Sequence, residues 1–214
     1  MVECGCSREH TPRRVVLTGG PGAGKTALLE LVRQSFCPHV HVLAESAGII
    51  FGGGFPREDE PVCRAAAQRA IFRVQRELEV IGDTRNPAVV LCDRGTIDGS
   101  AYWPEGLDDF WASLEVTREE ELTRYDAVIH LRTPDQHQGY NHRNPLRTET
   151  AAAAAAIDAR ILEAWDGHPR RFVIAAEAHF LHKAAHALEV LQAELPGCCA
   201  VHRPLPSTGH DPQP

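Results

Sequence analysis

Eight residues near the start of the chain constrain its fold more than any other feature. Gly19–Thr26 reads GGPGAGKT, which matches the phosphate-binding pattern G-x-x-x-x-G-K-[ST]. The segment before it, RVVLT at Arg14–Thr18, predicts a strand. Apolar residues then recur at helical spacing, at Leu28, Leu29, Val32 and Phe36. Because glycines let backbone N–H groups converge on a phosphate at a helix N-terminus, this strand, loop and helix predict a nucleoside triphosphate site.

The positions within this loop have distinct predicted roles. We expect Lys25 to reach the β- and γ-phosphates and to act in catalysis, and the Thr26 hydroxyl to bind Mg²⁺. The chain contains only two lysines, Lys25 and Lys183, against twenty arginines, so Lys is used where a compact charge is wanted and a planar guanidinium would not fit. The predicted nucleotide-binding residues are Gly19, Gly20, Pro21, Gly22, Ala23, Gly24, Lys25, Thr26 and Ala27.

Composition limits the other functions that are open to the chain. Its 214 residues, 43% of them hydrophobic, suit one domain with a sizeable core. A net charge of -7 argues against general nucleic-acid binding, which normally requires a basic excess. No apolar run approaches about 18 residues, and the N-terminus has no hydrophobic signal region, so we expect a cytoplasmic protein without a membrane span.

The seven cysteines predict reduced thiols in a cytosol, because their number is odd and their spacing is not that of a disulfide framework. A C-x-C segment starts at Cys4, and a vicinal pair starts at Cys198. With His10 or His202 these pairs could form a metal site. Their spacing is not that of a zinc knuckle, however, and both pairs lie in predicted tails, so the sequence does not favour that interpretation.

The order of the predicted elements indicates the fold class. Strands are predicted at 14–18, 40–44, 88–92, 125–131 and 172–175. Helices are predicted from the phosphate-binding loop to about residue 35, then at 61–81, in pieces over 98–122, and at 148–165 and 178–195. Repeated strand-then-helix order predicts an α/β fold with a doubly wound, mainly parallel five-stranded sheet and helices on both faces, as in P-loop NTPases of the kinase-like type.

Domain boundaries and packing faces follow from the same pattern. We expect a flexible N-terminus at 1–12, a P-loop domain at 13–195 with a lid at about 132–150, and a disordered Pro-rich tail at 196–214. Three glycines at 52–54 predict a mobile loop. Three helices have predicted apolar faces. These faces comprise Ile71, Val74, Leu78 and Ile81; Ile157, Ile161 and Trp165; and Leu181, Leu188 and Leu191.

Charged residues follow two of the predicted strands, where ligands bind in open α/β sheets. Glu45 ends the second strand, and a carboxylate there can accept the proton of a hydroxyl that attacks the γ-phosphate. Alternatively, Glu45 caps the helix that begins near Ser46. Asp93 and Arg94 end the third strand, where the carboxylate can hold Mg²⁺ and the guanidinium can hold substrate or phosphate. The alternative for this pair is an ion pair that only holds the sheet together.

A polar segment before the fourth long helix carries Arg143 and Arg147, four residues apart. Mobile guanidiniums can neutralise the charge that spreads over a phosphoryl group during transfer, once water has been excluded. These two arginines are therefore predicted to act in catalysis from a lid. A solvated basic loop is the alternative.

Three classes of P-loop protein can be compared with these features. A Ras-type GTPase would contain an N-K-x-D segment, which is absent from the sequence. A ring-forming motor would have an acidic pair after the third strand, where Asp93 is followed by Arg94, and a separate helical lid domain. A compact small-molecule kinase fits best. The missing N-K-x-D segment favours ATP over GTP without excluding GTP.

The sequence also resembles a known family, the NadR-type AAA domain proteins, and their relatives of the translocation-defective type. The resemblance covers most of residues 13–195. It is carried by GGPGAGKT, the strand end at Glu45, LCDRG followed by Asp98 and Tyr102, YDAVIHL at Tyr125–Leu131, and NPLRTET before a helix with Asp158 and Trp165. It implies nucleotide binding in a kinase-like fold. The matching positions are Gly19, Gly24, Lys25, Thr26, Asp93, Arg94, Asn144, Arg147 and Glu149.

The resemblance leaves the reaction open, because one branch of the family resembles ribosylnicotinamide kinases and another is described as binding GTP and phosphoinositides. The first hypothesis is an ATP- and Mg²⁺-dependent kinase for a small hydroxylated metabolite of nucleoside or riboside type. The second is a nucleotide-dependent switch or slow NTPase, with a protein or phosphoinositide partner that reads the bound state.

Overall fold

The computed structural model describes residues 4–134, 150–176 and 179–199. Five strands form one sheet in the order β2-β3-β1-β4-β5, and all four neighbouring pairs are parallel. The strands are β1 Arg13–Thr18, β2 Val40–Leu43, β3 Val89–Asp93, β4 Ala127–Leu131 and β5 Arg171–Ile174. The predicted doubly wound, five-stranded α/β fold is confirmed.

Seven α-helices and two short 3-10 helices connect and cover the strands in the described part of the chain. The α-helices are α1 Lys25–Ser35, α2 Ser46–Gly52, α3 Pro61–Asp83, α4 Leu107–Leu114, α5 Arg118–Thr123, α6 Ala151–Ala164 and α7 Phe180–Ala193. The 3-10 helices are Thr96–Tyr102 and Gly197–Cys199. Within these residues, no helix is both long and apolar enough to span a membrane.

Alternate residues of β1 belong to two separate core layers. Val15 and Leu17 pack with residues of α1 and α7 on one face, while Val16 packs with residues of α3 and α6 on the other. Because both faces of the sheet are covered, its central strands are apolar at nearly every position. The predicted faces of α1 and α6 are buried in these two layers.

The predicted apolar face of α3 is correct only in part: Leu78 packs against the core, but it is not among the fully buried residues of the helix. The helix buries Ala67, Phe72, Gln75, Glu79 and Gly82, whereas Ile81 is 51% exposed. Two of the buried residues are polar because they belong to a hydrogen-bonded network. Glu79 accepts from the Tyr125 hydroxyl at 2.7 Å, pairs with Arg124 and accepts from Gln75 at 3.0 Å. Apolar periodicity cannot detect a face that is buried through polar contacts.

Two other expectations differ from the structure. Leu181, predicted on the buried face of α7, is 53% exposed, while buried Lys183 and Ala184 replace it as the inward residues of the first turn. The predicted mobile loop at 52–54 begins inside α2, which continues through Gly52, and Gly53 donates its N–H to the Ile49 carbonyl at 2.9 Å.

The end segments contact the domain in part. Gly197–Cys199, predicted to be disordered, form a 3-10 helix, and Cys199 is buried against Cys37 and Ala88. Cys4 packs against the same cluster, although residues 4–12 have no regular secondary structure. The rest of the predicted tail, 200–214, lies outside the described residues.

Candidate nucleotide-binding site

The GGPGAGKT segment forms the turn between β1 and α1, as its motif predicts. Gly19, Gly22 and Gly24 have φ values of +133°, +79° and +98°, a region that favours glycine. A Cβ on Gly19 would lie 2.0 Å from the Leu131 carbonyl oxygen, so only glycine fits there. Helix α1 then begins at Lys25 without a side-chain cap, which leaves the N–H groups of its first turn for a phosphate.

A buried carboxylate holds the loop at Gly20. The Gly20 N–H donates to Asp158 Oδ1 at 2.8 Å, and the same oxygen lies 2.9 Å from His130 Nε2. Arg132 Nε lies 2.7 Å from Asp158 Oδ2. Burial acts to raise the pKa of Asp158, but these donors outweigh it and lower the pKa. A Cβ on Gly20 would come within 2.5 Å of Thr133 Oγ1, whose hydroxyl donates to the Pro21 carbonyl at 3.2 Å.

The second lysine of the chain holds the loop from another side. Lys183 on α7 is buried, and its Nζ donates to the Ala23 carbonyl at 2.8 Å and to the Arg132 carbonyl at 2.5 Å. A compact ammonium can reach two carbonyl oxygens in a space that a planar guanidinium would overfill. In the sequence, only the scarcity of lysine drew attention to Lys183, and it did not indicate what the residue does.

Lys25 lies among the other charged residues of the site. Its Nζ donates to the carbonyls of Gly19 at 2.8 Å and Gly20 at 3.1 Å. Burial lowers the pKa of Lys25 to about 7, and the Arg94 charge acts in the same direction, while Asp93 opposes it. The Lys25 ammonium therefore interacts electrostatically with the charged residues at the end of β3. Thr26 and Ala27, next in α1, are both exposed.

Asp93 ends β3 directly beside β1, where it pairs in register with Leu17. Its Oδ1 is buried and has no hydrogen-bond partner in the described part of the chain. Burial raises the pKa of Asp93 to about 6, with a further contribution from the Glu45 charge. A buried carboxylate oxygen without a hydrogen-bond donor fits a hard divalent cation such as Mg²⁺.

Glu45 and Arg94 form an ion pair across the ends of β2 and β3. Arg94 Nε donates to Glu45 Oε1 at 2.8 Å, and the Glu45 side chain remains 39% exposed. Glu45 occupies the N-cap position of α2 but makes no capping hydrogen bond with its side chain. Arg94 adopts φ +71°, unusual for a residue other than glycine, and its guanidinium carbon lies 5.6 Å from the centre of the Tyr102 ring.

A second buried carboxylate, Asp98, fixes the turn after Arg94. Its Oδ2 accepts from the Gly95 N–H at 2.7 Å, and its Oδ1 accepts from the Thr18 hydroxyl. Trp165 Nε1 also donates to Oδ1, at 3.4 Å. The Asp98 carboxylate therefore links Thr18, at the end of β1, to Gly95, the residue that follows Arg94. The roles of Asp98 and Asp158 were missed because a single sequence shows neither their burial nor their partners.

The predicted lid cannot be placed, since Arg143 and Arg147, with Asn144 and Glu149 of the family resemblance, lie outside the described residues. The predicted residues that the structure brings together are therefore the phosphate-binding loop, Glu45, Asp93 and Arg94. All of them lie at the carboxyl edge of the sheet, near the ends of β1, β2 and β3.

Comparisons with known proteins agree with this geometry. Residues 14–182 match the AAA domain family. The fold is similar to the crystal structure of NadR protein in complex with NR, with a TM-score of 0.60 and 16% sequence identity over 87% of this chain and 52% of that chain. This chain thus spans about half of the NadR chain, and the likeness is one of fold. No curated protein matches the sequence.

These findings confirm the resemblance that the motifs predicted. The matched residues 14–182 are 169 of the 214 residues of the chain, and they include the elements from β1 to β5 that carry the site. The chain therefore belongs to the AAA domain family and has a kinase-like P-loop fold for nucleotide binding.

Proposed function

We propose that the protein is a kinase that transfers the γ-phosphoryl group of ATP to a hydroxyl of a small metabolite of nucleoside or riboside type. The observation that carries the proposal is the Glu45–Arg94 ion pair, which lies beside the phosphate-binding loop at the carboxyl edge of the sheet. The fold likeness to a protein crystallised with NR supports an acceptor of this size.

The loop binds the triphosphate of ATP through its N–H groups and Lys25. Asp158 and Lys183 hold the loop at Gly20 and Ala23, so the N–H groups are oriented before the nucleotide arrives. Such preorganisation reduces the entropy lost on binding and favours the charge distribution of the transition state. GTP is the second candidate nucleotide, because the missing N-K-x-D segment favours ATP without excluding GTP.

Thr26 and Asp93 are the residues that would hold Mg²⁺, which neutralises charge on the β- and γ-phosphates when bound. The orphaned buried oxygen of Asp93 supports this role. Arg94, anchored by Glu45 and close to Asp98, is placed to orient the acceptor or the moving phosphoryl group. Arg143 and Arg147 of the predicted lid complete the proposed charge stabilisation.

Glu45 acts as the general base: its carboxylate accepts the proton of the acceptor hydroxyl while the hydroxyl oxygen attacks the γ-phosphorus of ATP. The P–O bond to ADP breaks, and the proton remains on the Glu45 carboxylate until it passes to solvent. The Glu45 carboxylate is suited to this task because it is partly exposed, so an acceptor can reach it, while the hydrogen bond from Arg94 fixes one of its oxygens.

The first test is ADP release from Mg·ATP by the purified protein, with and without a pool of nucleosides, ribosides and sugars. The Lys25→Ala variant serves as the blank. We expect release that depends on the acceptor. Slow release that no acceptor changes, combined with tight nucleotide binding, would contradict the kinase proposal and favour a nucleotide-dependent switch with a protein or phosphoinositide partner.

The Glu45→Gln variant tests the proposed base. Since general-base catalysis contributes roughly 10²–10⁴-fold, we expect phosphoryl transfer to fall by that factor while ATP affinity is retained. Glu77→Gln, at an exposed position on α3, is the matched control and should behave as the wild type. Transfer at the wild-type rate by Glu45→Gln would remove Glu45 from the mechanism.

A further inference from the structure

Five of the seven cysteines gather at the amino edge of the sheet, opposite the phosphate-binding loop. The residues that precede β1, the turn between α1 and β2, and the 3-10 helix after α7 meet there. These three segments are far apart in sequence but contribute all the cysteines of the cluster, together with two histidines. The cysteines of the cluster are Cys4, Cys6, Cys37, Cys198 and Cys199.

The cluster contains two sets of four ligands. The first set is Cys4, Cys37, His39 and Cys199; the second is Cys6, His10, Cys198 and Cys199. In each set, one ligand atom from every residue lies within 4.8 Å of the others. All seven cysteines of the chain lie in the described residues, and none of them forms a disulfide.

The distances between histidine nitrogens and cysteine sulfurs in both sets are close to those of tetrahedral zinc. With Zn–S bonds of about 2.3 Å and Zn–N bonds of about 2.0–2.1 Å, tetrahedral ligand atoms lie about 3.6–3.8 Å apart. His39 Nδ1 is 3.9 Å from Cys37 Sγ and 3.5 Å from Cys199 Sγ. His10 Nε2 is 3.6 Å from Cys6 Sγ and 3.5 Å from Cys199 Sγ.

We propose that these seven residues form a structural zinc site that holds two ions, with the Cys199 thiolate shared between them. Cys199 is the residue common to both sets, and it is buried between the two histidines. Two four-coordinate ions with one shared ligand need seven ligands, which is the number present. The five thiolates carry five negative charges against the four positive charges of two Zn²⁺ ions, so the filled site has a net charge of about −1.

The chemistry of the ligands selects zinc. Thiolate and imidazole in tetrahedral sets suit zinc, whereas magnesium and calcium require oxygen ligands. All four positions of each ion are filled by protein, which is typical of structural rather than catalytic zinc. The five thiols release their protons to solvent when the ions bind.

Hydrogen bonds to backbone groups hold two of the three ligand-bearing segments in place. Asn86 accepts from the His10 N–H at 2.9 Å and donates from Nδ2 to the Arg8 carbonyl at 3.3 Å. The His39 carbonyl accepts from the Ala88 and Val89 N–H groups at 2.8 and 3.0 Å. The first and second segments are thus attached to the start of β3, so the ligands approach one another on a fixed frame.

The sequence did not reveal this site, because the spacing of Cys4-x-Cys6 and Cys198-Cys199 is not that of a zinc knuckle. The missing ligands are Cys37 and His39, which come from a C-x-H turn inside the domain. His202, considered from the sequence, lies outside the described residues. Only the fold brings the three segments together.

Zinc content of the full chain, purified without chelator from zinc-supplemented cells, is the direct test. We expect two ions per chain, released when the thiols are modified with a mercurial reagent. One ion per chain would overturn the shared thiolate. A protein without zinc whose cysteines react at once with a thiol reagent would overturn the site and leave a hydrogen-bonded thiol cluster.

Single substitutions separate the two ions. Cys199→Ser should lose both, while Cys6→Ser and Cys37→Ser should each retain one, because each belongs to a single set. Cys63→Ser, on α3 and outside both sets, is the matched control and should retain two. Two ions in Cys6→Ser would overturn the assignment. The Cys6 and Cys37 variants keep the test decisive if Cys199→Ser does not fold.

Cobalt substitution reports the geometry independently of stoichiometry. Replacement of zinc by Co²⁺ should produce a thiolate-to-cobalt charge-transfer band in the near ultraviolet and the intense visible bands of tetrahedral cobalt. The charge-transfer band should weaken in Cys6→Ser and be unchanged in Cys63→Ser. Weak bands typical of octahedral cobalt, without charge transfer, would overturn the proposed sulfur ligation.

Discussion

The two edges of the sheet present different kinds of site. At the carboxyl edge, one continuous segment forms the phosphate-binding loop, and charged residues lie beside it at the ends of β2 and β3. At the amino edge, cysteines and histidines come from three distant segments. The phosphate-binding loop can be recognised from a sequence motif, because its residues lie within a segment of eight. The cysteine and histidine cluster forms only when folding brings its three segments together.

The edges also differ in how their polar groups are satisfied. Two buried side chains hold the phosphate-binding loop: Asp158 accepts from the Gly20 N–H, and Lys183 donates to the Ala23 carbonyl. The N–H groups at the start of α1 are left for a ligand, because that helix has no side-chain cap. At the amino edge the thiols and imidazoles face one another. The first arrangement leaves backbone donors for a ligand from solvent, whereas the second would enclose the proposed metal ions.

The largest expected effects should separate the two edges completely. Lys25→Ala should reduce nucleotide affinity on the order of 100-fold, because it removes charge-assisted hydrogen bonds, and leave zinc content unchanged. Cys199→Ser should lose zinc and keep nucleotide affinity within about twofold, since distant sites are nearly independent. Calorimetric titration and metal analysis measure both quantities. Loss of nucleotide binding in a folded Cys199→Ser variant would show that the edges are coupled.

Gly20→Ala tests the packing behind the loop. The new Cβ would lie 2.5 Å from Thr133 Oγ1 and 2.7 Å from Asp158 Cβ, so we expect a loss of about 1–3 kcal/mol in the free energy of unfolding. Gly52→Ala is the control, because its Cβ would meet no atom within 4 Å. Urea unfolding of both variants measures the effect. Equal stability of the two would mean that the loop relaxes freely around Gly20.

Lys183→Met tests the element that reaches both edges. Lys183 lies in the first turn of α7, and the chain continues from the end of α7 to Cys199. Loss of its hydrogen bonds to the Ala23 and Arg132 carbonyls should weaken nucleotide binding about tenfold. Lys183→Arg should not restore affinity, because the guanidinium is too large for the space. Full affinity in either variant would contradict a role in the loop.

The smallest effect concerns acid stability at Asp158. Its pKa is lowered in the folded protein, so the unfolded chain takes up the proton more readily as the pH falls. The stabilisation is complete above the ordinary pKa of 3.8 and is lost as the pH falls through the lower folded value. The stability difference between wild type and Asp158→Asn should therefore shrink at acidic pH in urea unfolding. A constant difference would exclude this titration.

Sequence patterns predicted the parts of the fold that depend on local periodicity. The five strands and α1 were predicted because apolar runs and a contiguous motif define them. The α3 face was predicted only in part, because Gln75 and Glu79 are buried through polar contacts. The strand-end positions of Glu45, Asp93 and Arg94 were predicted because the ends of parallel strands converge, while their roles stay predictions. The pairing of Glu45 with Arg94 was not predicted, because Arg94 adopts a positive φ that its residue type does not indicate.

The proposed metal site has a consequence for synthesis of the chain. Its ligands extend from Cys4 to Cys199, so neither set of four is complete until the chain has been synthesised through Cys199. Capture of zinc by complete sets would then follow synthesis of the segment after α7. A nascent or truncated product that stops inside α7 would retain its phosphate-binding loop yet lack both complete ligand sets, and metal content would distinguish such products from chains that include Cys199.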